Sequence, residues 1–237
     1  MRKIFNISVN DVIPSIGAVL YCQGIPLHVS PDERTIHLAE KAISIFRQKA
    51  NPIGILLEIS KNDFKNVFIG NGRNETDSPI EKIYRSSDDL ALFAVTVDEE
   101  ICSEISALFT RNDFALGSIL DSAASEGTEM AAQVIEDFYY QHLSKIGRYA
   151  SKGGILRFSP GYCGWHISAQ KKIFDALHPE DIDITLNASF LMQPLKSVSG
   201  VIISGKKEIF EFEDIFSFCK DCVTHTCRER IDALFGR

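Results

Sequence analysis

Eight consecutive residues, Leu90-Ala91-Leu92-Phe93-Ala94-Val95-Thr96-Val97, carry no charge and a single hydroxyl. A run this short and this apolar reads as a strand buried in a sheet. Asp98 follows it and can cap a helix whose Ile101, Ile105, Leu108 and Phe109 form one apolar stripe. Another helix is predicted up to about Lys49. Ser30 can cap it, Pro31 suits its first turn, and Glu33 can reach back to close a capping box. Ile36, Ala39, Ala42, Ile43 and Phe46 then recur at helical spacing. Gly54–Ile59 and Val67–Ile69 read as strands, and 1–29 as short extended pieces. Residues 113–145 suit a long helix or a bent pair, with Gly117 and Gly127 as bend points.

Past the Gly153-Gly154 break, Ile155–Phe158 reads as a strand. A short helix over 168–177 follows, with Ser168 as its cap. Residues 184–192 and 198–204 then read as paired strands, 208–212 as another, and the segment from 214 as helix interrupted by cysteines. Strands and helices mix without regular βα alternation, so the fold class is α+β rather than a doubly wound sheet.

The 237 residues are 45% hydrophobic, which suits one large domain or two small ones and excludes disorder. Asp and Glu number 32 against 25 Lys and Arg; the net charge of -7 repels phosphate backbones and argues against nucleic acid as the main partner. No apolar stretch approaches the ~20 residues a membrane span needs. No apolar segment follows the charged N-terminus as in a signal peptide, so a cytoplasmic location is expected. The six cysteines are then thiols or metal ligands in preference to disulfides. Cys22 and Cys102 read as buried small hydrophobes, Gly70-Asn71-Gly72 as a hairpin turn, and Asp88-Asp89 as solvated helix-start charge.

Two stretches carry chemistry. In Arg157-Phe158-Ser159-Pro160-Gly161-Tyr162-Cys163-Gly164-Trp165 a strand ends beside an arginine, Pro160-Gly161 turns the chain, and aromatic residues follow. Arg157 can clamp a carboxylate with two parallel hydrogen bonds, Gly161 permits close backbone approach, and Tyr162 offers a flat wall. The stretch is either a pocket for a small anionic or amino-acid-like ligand or a packed turn with a surface arginine. Trp165 reads as a packing anchor and His166 as a surface or capping residue. The second stretch is Cys219-x-x-Cys222-x-x-x-x-Cys227. Close thiolates suit zinc or an iron–sulfur cluster, with Cys163 or His225 as a fourth ligand; an unmetallated helix end is the equal alternative. No hydrolase constellation is visible, and no complete active site of the chain's own.

Arg-Phe-Ser-Pro-Gly-Tyr resembles the Arg-x-x-x-Gly-Tyr signature of the activation (reactivation) domain of vitamin B12-dependent methionine synthase. The resemblance continues through Lys172–Leu177 and Leu186–Pro194 and ends at Ser197-Val198-Ser199-Gly200, in order and at matching spacing. It covers 150–205; upstream, the helix bearing Glu129 is similar, more loosely, to one that supplies an acidic ligand. The resemblance implies a curved, mainly antiparallel sheet with flanking helices. It implies one unit over 1–237, with 1–150 the less recognisable half and 151–237 the motif-bearing half. It also implies that S-adenosylmethionine binds and that a cobalamin-carrying partner docks, so that oxidised cobalt is reduced and remethylated in the service of methionine biosynthesis. Carried over, Arg157 would grip the methionine carboxylate, backbone at Ser159 and Gly161 would hold the ligand, Tyr162 would wall the site, and Glu129 would contact the amino group or the sulfonium.

The sequence departs from the family in having Cys163-Gly164-Trp165-His166 after Gly-Tyr, where the family has proline and an acid- and histidine-containing stretch. It shows no folate-, homocysteine- or cobalamin-binding module, so it is expected to act as a free-standing reactivation partner of a corrinoid methyltransferase. Two alternatives stand beside this: an iron–sulfur redox module passing electrons to a corrinoid protein from a separate donor, and a zinc-stabilised binding protein.

Overall fold

The computed structural model describes residues 1–149, 153–211 and 225–236, with 225–228 described as backbone only. A five-stranded antiparallel sheet runs in the order β1 (Arg2–Asn6), β2 (Ile53–Glu58), β3 (Asp89–Thr96), β7 (Ser197–Lys206), β4 (Gly153–Phe158). The α+β reading therefore holds, and the sheet takes strands from both halves of the chain. β5 (Thr185–Leu186) and β6 (Met192–Gln193) form a separate two-stranded ribbon.

The apolar run is β3, at the centre of the sheet, and every residue from Asp89 to Thr96 is buried. Its side chains alternate between two cores. Ala91, Phe93 and Val95 face one core, built with α1 (Ile16–Cys22), α2 (Glu33–Lys49), α5 (Glu99–Thr110) and α6 (Phe114–Lys145). Leu90, Leu92 and Ala94 face the other, with α3 (Lys61–Ile69), α4 (Pro79–Ser86), α7 (Gln170–Leu177) and Trp165. Helices cover both faces, which is why β3 lacks the polar alternation of a half-exposed strand.

α6 is one helix of 32 residues, and its glycines serve close packing. A Cβ at Gly127 would come within 2.2 Å of the Phe46 ring, itself fully buried, so this glycine lets α2 and α6 approach. Gly200 plays the same part between strands: a Cβ there would meet the Phe158 carbonyl at 2.1 Å, where β4 leaves the sheet across β7.

Several local expectations are corrected. Asp32, not Ser30, caps α2, accepting from the Thr35 N–H at 2.9 Å. Val67–Ile69 is the last turn of α3: Ser60 caps that helix, and Phe64, Val67 and Phe68 are buried at helical spacing. Gly70 ends α3 at φ +53° instead of turning a hairpin. Residues 16–22 are helix, 184–192 contributes only β5, the loop after it and the first residue of β6, and 207–210 is a 3-10 turn. Ser168 is not a helix cap; its N–H donates to His166 Nδ1, and His166 caps the short turn ahead of α7. Cys22 is exposed, whereas Cys102 is buried as expected. Asp89 is buried at the start of β3 and paired with the half-exposed Arg148, rather than being solvated charge. Trp165 is the anchor its type suggested, 1% exposed and donating from Nε1 to the Phe68 carbonyl at 3.2 Å.

Candidate functional site

Where β4 ends, the chain folds back on itself in four residues. Gly161 adopts φ +96°, a conformation that disfavours a side chain, and its N–H donates to the Trp165 carbonyl at 2.6 Å. The Tyr162 N–H closes on the Ser159 carbonyl at 3.3 Å. Cys163 also has a positive φ, of 52°, and its carbonyl accepts from Ser78 Oγ at 2.8 Å. With Trp165 sunk in the core behind it, this turn is fixed from below while Tyr162, 53% exposed, stands at the rim.

The turn walls a cavity of about 330 Å³, within the size range of small-molecule sites. Its lining brings together Arg157, Ser159, Tyr162, Cys163 and Glu129, four of the five residues expected to bind the ligand plus one expected metal ligand. Gly161 does not line it; that residue shapes the turn instead. The opposite wall comes from Phe190, Leu191, Met192 and Leu195. There the Asn187 carboxamide oxygen accepts from the Ser189 and Leu191 N–H groups at 2.9 and 3.0 Å, tying the loop that presents the apolar side chains. The floor is Ser197, Val198 and Ser199 of β7. Ser199 Oγ donates to Gln170 Oε1 at 2.5 Å, and both side chains are buried.

Arg157 pairs in register with Ile202, whose side chain belongs to the α6-facing core, so the guanidinium crosses toward that helix. Its Nη1 donates to Gln133 Oε1 at 2.7 Å and to Glu136 Oε2 at 3.4 Å. Its Nη2 donates to Glu129 Oε2 at 3.1 Å. Glu129, Gln133 and Glu136 lie four and three residues apart on α6, which sets them on one helix face. Burial pushes the Glu136 carboxyl above its ordinary value, and the charges of Arg157 and Arg230 pull against that shift. Arg230, from α8 (His225–Phe235), also lines the cavity.

Gln133, Glu136, Gln170, Ser199 and Arg230 escaped the sequence reading as site residues. The 129/133/136 spacing was the available signal, since it draws a polar stripe along an alanine-rich helix.

Of the proposed metal ligands, Cys163 alone has its side chain among the described residues. Cys219 and Cys222 lie outside the described residues, as does the Cys227 side chain, although its backbone is in α8. Cys163 stands in the cavity wall, and among the described residues no group of three His, Cys, Asp or Glu side chains could hold a metal ion. No helix among the described residues is long and apolar enough to cross a membrane.

The mixed helical and antiparallel fold has a counterpart among solved structures. The structure described as "Crystal Structure of the MetH Reactivation Domain bound to AdoHcy" superposes with a TM-score of 0.59 at 15% identity, covering 98% of this chain and 89% of that one. At that identity the likeness speaks for the fold. The sequence itself matches the family described as "Vitamin B12 dependent methionine synthase, activation domain" over residues 79–217, more than half of its length. The chain belongs to the activation-domain family of vitamin B12-dependent methionine synthase. No curated protein matches it in sequence.

Proposed function

We propose that this protein binds S-adenosylmethionine in the Arg157 cavity and presents it to a corrinoid-bearing methyltransferase, so that inactive cobalamin is reductively remethylated. One observation carries the reading: Arg157, Ser159, Tyr162 and Glu129, named from the family motif and helix, converge on a single cavity with an apolar wall opposite. The chemistry of the lining fits the ligand. A guanidinium matches a carboxylate, the apolar wall suits an adenosine, and a half-exposed glutamate suits an ammonium or sulfonium. The structural neighbour was crystallised bound to AdoHcy, the demethylated form of the same ligand. Here the chain's own residues bind and orient. The methyl group comes from the ligand and the nucleophile from the partner's cobalt, so no acid–base pair is required of the cavity.

Isothermal titration with S-adenosylmethionine tests the reading. Saturable binding is expected, weakened about tenfold in Arg157→Lys, which keeps the charge beside Glu136 but loses the planar fork. Absence of saturable binding to the wild-type protein would overturn it. Addition of a methylcobalamin-depleted methyltransferase and a low-potential reductant should then yield methylcobalamin only when this protein and the ligand are both present.

A further inference from the structure

The two terminal nitrogens of Arg157 meet different surroundings. Nη1 faces Gln133 and Glu136, and the side chains of Arg157 and Glu136 are each only 7% exposed. Nη2 faces Glu129, whose side chain is 47% exposed and shares the cavity wall. A guanidinium edge that already holds a carboxylate cannot also grip a ligand carboxylate with the same donors. Adding a third carboxylate beside Glu129 and Glu136 would also set like charges against one another.

We infer that Glu129 is an exchangeable stand-in for the ligand carboxylate, while Glu136 and Gln133 are the fixed braces of Arg157. The inference rests on the ligand-binding reading above and adds how the site changes partners. On binding, the ligand carboxylate takes the Nη2 edge and Glu129 swings away, its half-exposed position leaving it free to turn. The displaced carboxylate then meets the positive part of the ligand. One residue thus couples arrival of the carboxylate to neutralisation of the cation, and a nucleoside lacking either group forfeits that coupling. Glu136 and Gln133 are positioning residues: they reach the ligand only through Arg157.

The test is calorimetric titration of wild-type protein and Glu129→Gln with three adenosine thioethers. They are S-adenosylhomocysteine, its deaminated analogue bearing a 3-carboxypropyl group, and 5′-methylthioadenosine, which has neither charge. Glu129→Gln should bind the carboxylate-only analogue roughly threefold more tightly, the worth of a half-exposed ion pair removed as a competitor. It should leave 5′-methylthioadenosine unchanged and weaken S-adenosylhomocysteine, whose ammonium loses its partner. Unchanged or weaker binding of the carboxylate-only analogue would overturn the exchange while leaving the ligand reading intact, as would its failure to bind either protein when S-adenosylhomocysteine binds. No binding of any of the three to either protein would overturn the ligand reading and the exchange with it.

Discussion

Replacing Arg157 with methionine should destabilise the fold far more than removing a surface arginine would. Arg157 is 6% exposed and Glu136 5%, and Arg157 Nη1 is one of the few groups satisfying the Glu136 carboxylate. Removing one partner of a buried pair costs about 3–5 kcal/mol, because the remaining charge is left uncompensated. Arg230 also acts favourably on Glu136, so the lower end, about 3 kcal/mol, is expected. Adding Glu136→Gln should recover most of that loss, since the orphaned charge goes with it.

The pH dependence has a definite sign. Burial raises the Glu136 carboxyl above its ordinary 4.5, and loss of Arg157, which pulls it down, raises it further in the variant. The folded form then binds the proton more tightly than the unfolded chain. The penalty is fully present above the raised folded-state value and is relieved as pH falls toward 4.5. Urea denaturation followed by circular dichroism at pH 7.5 and pH 5.5 measures both effects. The gap between Arg157→Met and wild type should narrow at the lower pH, and Glu136→Gln should abolish that narrowing. A gap independent of pH, or no rescue by Glu136→Gln, would show that Arg157 is not the counter-ion of a buried charge.

Gly127→Ala should destabilise by about 1–2 kcal/mol, overpacking against Phe46 outweighing the gain of roughly 1 kcal/mol in helix propensity. Phe46→Leu in the same chain should reverse the sign of the Gly127→Ala effect, read as coupling in a double-mutant cycle; stabilisation by Gly127→Ala alone would mean that the Phe46 ring yields to the added methyl at little cost. Trp165→Phe should lower stability by about 1–2 kcal/mol through the lost Nε1 bond to the Phe68 carbonyl, measured as a shift in urea midpoint. Cys22, exposed but hydrogen-bonded to Glu126 at 3.0 Å, has its thiol pushed up to about 12 by partial burial and by that carboxylate. It should be alkylated by iodoacetamide at pH 8 more slowly than a free thiol and faster in Glu126→Gln, as peptide mass spectrometry would show.

Elements with a long, clean period were legible in the sequence. β3 declared itself by the uncharged, largely apolar run Leu90–Val97, α2 by its stripe from Ile36 to Phe46, and α6 by its length. Val67–Ile69 misled because three apolar residues in a row carry no period; the informative pattern began at Ser60, the cap, and Phe64. Residues 184–192 resembled a partner for 198–204, but β7 is paired on both sides, by β3 and by β4, leaving the segment only its own short ribbon. The site was half legible. Arg157 and Tyr162 belong to a motif, whereas Glu136 belongs to none. Its burial follows from an arginine 21 residues later in sequence crossing from β4, a fact of tertiary pairing that no local pattern states.

The central place of β3 has a practical consequence for where this protein can be cut. The family match begins at residue 79, beyond β1, α1, α2 and β2. A fragment starting there would strip β2 from β3 and bare a row of backbone donors and acceptors along an apolar strand, a template for self-association. It would also remove Phe46 from Gly127 and leave one face of the sheet without α2. The boundary at which the sequence becomes recognisable is therefore not a boundary of folding: expressed from residue 79, the chain should form aggregates, while the full chain keeps that edge sealed.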